Sequence, residues 1–138
     1  MKAFIVFLLA GLIIVSPAYA QKQDTVTTGA GLTWDKATHD FGDIAQGDKV
    51  EYTYRFTNSG NEPLIITNVT TQCGCTTPKG WPRDPVPPRG KGEIIAAFNS
   101  AGKFGKHYKV VTIISNAVNP DGKQLILMVN VLEKKSPN

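Results

Sequence analysis

The side chains most able to do chemistry in this sequence are its two cysteines, Cys73 and Cys75, separated by the single residue Gly74. Three kinds of chemistry fit that spacing. The first is a disulfide across one glycine, with the Cα atoms near the upper end of the permitted separation and Gly74 relieving backbone crowding. So small a ring removes little entropy from the unfolded chain, and if strained and exposed it is easily reduced. The second is a Cu(I) clasp, because side chains two apart share a face in extended backbone and two thiolates suit a soft metal. Its further ligands would have to come from His39, His107 or Met128, none of which stands at motif spacing to the pair. The third is thiol exchange, or an intermolecular disulfide with a partner, although the Cys-x-x-Cys spacing that goes with a lowered thiol pKa is missing.

Hydrolytic and phosphoryl-transfer chemistry finds no footing. There is no Gly-x-Ser-x-Gly elbow, no His-Glu-x-x-His pair and no Gly-rich phosphate loop. Two histidines leave few candidates for acid–base work. A non-catalytic protein without a cofactor is therefore expected, with copper at Cys73 and Cys75 as the alternative. The formal net charge is +4, but the basic residues are scattered and no basic stripe is interleaved with aromatics, so nucleic acid is not an expected partner.

Trp81 follows the cysteines within a proline-rich stretch, Lys79–Pro88. It reads either as a ring folded back over one end of the fold or as an aromatic anchor at a protein interface. Its nearness in sequence to the cysteines predicts that both sit at one end of the molecule. Cys73, Gly74, Cys75 and Trp81 are thus the candidate binding residues, whereas Trp34 reads as core or edge cover.

These residues must be positioned by the elements around them. Residues 1–20 carry a basic start at Lys2, an apolar run from Ala3 to Val15, then Pro17 and Ala18-Tyr19-Ala20. That is the pattern of a secretory signal cut before Gln21, and the run is short of the roughly 18 to 20 residues a bilayer crossing needs. An exported protein, periplasmic or extracellular, with no membrane insertion after cleavage and a protein partner in the cell envelope, is the expectation. Residues 21–31 read as a flexible leader and 134–138 as a tail.

Between them, residues 32–133 read as strands divided by turn residues. Val50, Tyr52, Tyr54 and Phe56 alternate with Glu51, Thr53, Arg55 and Thr57, a period of two with one buried face. Further strands are expected after Pro63, at Glu93–Asn99, Lys106–Ser115 and Gln124–Glu133, with a weaker one in Leu32–Ile44. The expected core adds Leu64, Ile66, Ile94, Ala96, Phe98, Val111, Ile113, Leu125, Leu127, Val129 and Val131. At 138 residues and 41% hydrophobic, the chain suits one domain. An all-β fold follows, a single immunoglobulin-like antiparallel β-sandwich of about seven strands.

Four segments, HDFGDIAQGDKVEYTYRFTNSGNEPLIITNV, TQCGCTTP, VPPRGKGEI and FNSAGKFGKHYKVVTIISNA, resemble the exported bacterial family DUF1573. That family is similar to the Ig-like modules of the ASPM/SPD-2/Hydin group. The resemblance runs from about Asp40 to Val131 and is least generic at Cys-Gly-Cys-Thr. It implies a seven-stranded Ig-like fold and no established activity. Where relatives tend to read Pro-Gly, this chain has Pro88-Arg89, which predicts a tight turn displaced to Gly90.

Overall fold

A computed structural model describes residues 28–134, together with Gly11 and residues 13–18. The rest of the expected signal peptide, the leader up to residue 27 and residues 135–138 of the tail lie outside the described residues, whereas residues 28–31, expected to belong to a flexible leader, join the fold: Ala30 is buried, bridges Ala117 and accepts from Val118 N at 3.0 Å. Eight strands form: β1 (Thr33–Trp34), β2 (Thr38–Ala45), β3 (Lys49–Thr57), β4 (Ile66–Thr71), β5 (Thr76–Gly80), β6 (Lys91–Asn99), β7 (Gly105–Ser115) and β8 (Gln124–Leu132). They make two four-stranded sheets, ordered β1-β3-β6-β5 and β2-β8-β7-β4. The all-β, immunoglobulin-like sandwich read from the sequence is the fold that forms.

Two features differ from that reading. The weak strand expected in Leu32–Ile44 divides into β1 and β2, which belong to opposite sheets, and β2 pairs with β8 in parallel. The parallel edge arises because the chain crosses between sheets at Asp35–Ala37, with Ala37 O accepting from Ile126 N at 2.8 Å. The other difference is β5, where a loop was expected. Thr76–Gly80 pairs antiparallel with β6, from Thr76 opposite Phe98 to Gly80 opposite Ile95.

The alternation in β3 fixes its register against β6: Tyr54 opposes Ile94 and Phe56 opposes Gly92. Tyr54, Phe56, Ile94, Ala96 and Phe98 face inward and meet Val111, Ile113, Leu125, Leu127, Val129 and Val131 from the other sheet, all fully or nearly buried. Side chains of this size each contribute about 1.5 to 3 kcal/mol when removed from water, enough together to hold two sheets face to face. Val50 and Tyr52, expected to be buried, are only half-buried. Tyr52 lies where β3 approaches β2, and its ring stacks on His39 with centroids 3.7 Å apart. Deeper in, the Tyr54 hydroxyl donates to Ile126 O at 2.7 Å, one polar bond between the sheets. Burial, and then the neighbouring Tyr52, push the Tyr54 pKa well above the usual phenol value.

Candidate functional site

The cysteines lie on the crossover from β4 in one sheet to β5 in the other. Their sulfurs are at disulfide distance, with the Cα atoms 5.3 Å apart. Backbone bonds hold the crossover: Thr76 N donates to Cys73 O at 3.2 Å and Asn99 N to Cys75 O at 2.8 Å. The Thr71 hydroxyl lies 3.2 Å from Cys73 O and 2.8 Å from Thr76 O, spanning the turn. Within the ring, Cys75 N donates to Cys73 Sγ at 3.1 Å. Gly74 departs from its expected role. It is exposed, its φ is not left-handed and a Cβ there would meet nothing within 4 Å among the described residues, so no crowding from them requires a glycine.

The side chains considered as copper ligands are engaged elsewhere. His39 stacks on Tyr52, and burial holds its imidazole below the ordinary pKa, aided by Lys36 and opposed by Asp40. A ring nitrogen of His107 lies 3.0 Å from Phe104 O. Met128 sits opposite Tyr108 in the β7–β8 pair. Among the described residues, no three His, Cys, Asp or Glu side chains converge in a way that could hold a metal ion.

Trp81 follows β5 directly, but at the end away from the cysteines. Cys75 adjoins Asn99 at one end of β6, whereas Gly80 has reached Ile95. The five residues of β5 separate Cys75 from Trp81, roughly 20 Å of extended chain. The expectation that the two share one end of the sandwich is corrected by β5, whose pairing with β6 was not visible in its composition.

Trp81 is half-buried and packs on the main core cluster. The Arg83 guanidinium covers its other side, 3.9 Å from the ring centroid, a cation–π contact worth about 0.5 to 1 kcal/mol at an exposed site. Its indole Nε1 is buried and finds no hydrogen-bond partner among the described residues. The ring borders an open cleft of about 670 Å³ with Asp35, Arg55, Pro82, Lys91, Glu93 and Ile95. Arg55 and Glu93 lie opposite each other in the sheet, their charges 3.8 Å apart. The four charged members of this cleft were not singled out in the sequence, because they come from the outward positions of β3 and β6 and from the β1–β2 link.

The model of a family described as "protein of unknown function (DUF1573)" matches residues 32–131. No curated protein matches significantly. Among solved structures, the chain is similar to a protein of unknown function from Porphyromonas gingivalis W83, with TM-score 0.62 and 17% identity over 79% of this chain and 51% of that one. The secreted serine protease VesC of Vibrio cholerae gives TM-score 0.59 and 16% identity over 77% of this chain and 24% of that one. The ASH/PapD-like domain 7 of human CEP192 gives TM-score 0.61 and 11% identity over 87% of this chain and 98% of that one. The chain thus spans about half the length of the first of these proteins and a quarter of the second. At such identities the likeness is one of fold.

Proposed function

The chain belongs to the DUF1573 family, and on that footing we propose that it is an exported, non-catalytic binding module that contacts a protein partner in the cell envelope. The observation that carries this reading is the Trp81 cleft. An aromatic ring seated on the core and steadied by Arg83 loses little freedom on binding, and such rings contribute disproportionately at interfaces. The paired charges at its rim, Arg55 with Glu93 beside Asp35 and Lys91, would set orientation more than affinity. Export is supported by the signal-like residues 1–20.

The test is site-specific photo-crosslinking in the cell envelope, with the probe at Ile95 in the cleft or at Thr112 on the far sheet. A single crosslinked species at Ile95, lost with Trp81→Ala and missing at Thr112, is the expected result. The same species at both positions, or at Thr112 alone, would overturn the cleft assignment. N-terminal sequencing that returned Met1 in place of Gln21 would overturn export.

A second reading is supported by the Cys73–Cys75 pair itself. It stands at an exposed crossover around a glycine that packing does not require, which leaves room for another backbone to approach, so the pair suits thiol exchange in an oxidising compartment.

A further inference from the structure

The direction of exchange at the cysteine pair rests on that second reading and goes beyond it. We infer that the disulfide opens at Cys75, with Cys73 as the leaving thiolate. An incoming thiolate forms a bond to Cys75 Sγ, the Cys73–Cys75 bond breaks, and its electron pair passes to Cys73 Sγ. A second thiol then resolves the mixed disulfide. The net change is one protein disulfide and two thiols giving a protein dithiol and one new disulfide, so electrons and protons balance with no further reactant.

Three observations set the direction. The Cys75 amide donates to Cys73 Sγ at 3.1 Å, and that bond strengthens when the sulfur becomes an anion. A thiol whose anion is held in this way has the lower pKa and leaves faster. Cys75, by contrast, packs against the cluster built on Phe98, Leu127, Val129 and Val131, where a thiolate would be desolvated. Its sulfur lies 4.0 Å from the Thr76 hydroxyl, the outer limit for a contact to sulfur.

Access favours the same sulfur. Cys75, and not Cys73, lines an open cleft of about 350 Å³ with Lys49, Glu51, Thr77, Lys79 and Asn99. Lys49 and the Lys79–Glu51 pair, 2.8 Å apart, rim this cleft. The carbonyls of Cys73 and Cys75 stay bonded to Thr76 and Asn99, so ring opening requires no shift of β5.

The experiment treats the oxidised full chain with excess reduced glutathione, traps free thiols by alkylation and maps the adducts by mass spectrometry. Glutathione on Cys75 with alkylation on Cys73, in at least about tenfold excess over the reverse, is expected. In parallel, the remaining thiol of Cys75→Ser should titrate about one unit or more below that of Cys73→Ser, which decides the matter should the mixed disulfide not accumulate. Adducts on Cys73, an even distribution or the opposite order of titration would overturn the direction while leaving exchange itself standing. A disulfide that glutathione leaves intact would overturn the exchange reading.

Discussion

The Arg89 amide donates to the Asn58 carbonyl at 2.8 Å, and Arg89 makes that contact from a left-handed backbone with φ 65°. Gly90 N closes the turn onto Pro87 O at 2.8 Å. With proline second and positive φ third, this is a type II turn in which arginine occupies the glycine position. The turn is therefore not displaced to Gly90. That glycine is required for a different reason, since a Cβ there would meet Pro87 O at 2.7 Å.

Arg89→Gly should stabilise the protein. Relief of a left-handed non-glycine residue is worth about 1 to 2 kcal/mol, against about 0.5 to 1 for the added freedom of the unfolded chain. A net gain of about 0.5 to 1 kcal/mol is expected in urea unfolding. An unchanged or lower midpoint would mean that Arg89 makes a contact stronger than its strain.

Asn58 is fully buried and satisfies both ends of its amide. Its Oδ1 accepts from Gly31 N and Gly60 N at 3.0 Å each, and its Nδ2 donates to Glu62 O and Val86 O at 2.8 and 2.9 Å. Asn58→Asp keeps the shape but sets a carboxylate oxygen against two carbonyls. It should cost more than Asn58→Ala, for which about 2 to 4 kcal/mol is expected from the orphaned backbone groups. Equal losses by chemical denaturation would show that the hole, not the bonding, dominates.

Phe56 and Gly92 form one unit, since a Cβ at 92 would come within 2.9 Å of Phe56 Cε1. Phe56→Ala should cost about 3 to 5 kcal/mol and Thr57→Ala, on the opposite face, under about 0.5. Gly92→Ala should cost about 1 to 3 kcal/mol in wild type and much less beside Phe56→Ala. Additive losses in this cycle would place the ring elsewhere.

His39 predicts a pH dependence. Burial lowers its folded pKa below the unfolded value near 6.5, with Lys36 in the same sense, Asp40 opposing and the Tyr52 and Phe41 rings packed on the imidazole. Above that pH neither state binds the proton, and as pH falls through it the unfolded state binds first. Stability should therefore decline from pH 7 toward 5 in wild type, and less so in His39→Gln. Identical pH profiles of the thermal midpoint would remove His39 from the explanation.

What could be read in the sequence depended on how burial was distributed. β3 was legible because Tyr54 and Phe56 alternate with Thr53 and Arg55, and its register follows from that alternation. β5 was not, because Thr-Thr-Pro-Lys-Gly buries only Thr76 and includes two residues disfavoured in strands; it is tolerated as a sheet edge. The cysteine pair announced itself by spacing. The Trp81 cleft did not, for Asp35, Arg55, Lys91 and Glu93 come from separate stretches of chain that meet only once β1, β3 and β6 lie side by side in one sheet.

That separation along β5 gives the last prediction. Closing a three-residue loop restrains the unfolded chain by only about 1.5 kcal/mol, so Cys73→Ser/Cys75→Ser should lose no more than about that. Being some 20 Å of strand away, it should leave capture of an envelope partner unchanged. Trp81→Ala removes the seated ring and Arg83→Ala uncovers it, so both should weaken capture, the first more strongly. Because Trp81 also packs on the core, each variant is to be compared at a temperature where melting curves show it fully folded. The combined Cys and Trp81 variant should show additive stability losses to within about 0.5 kcal/mol. If the double Cys variant abolishes capture while Trp81→Ala and Arg83→Ala retain it, binding belongs to the crossover and the thiol reading replaces the cleft.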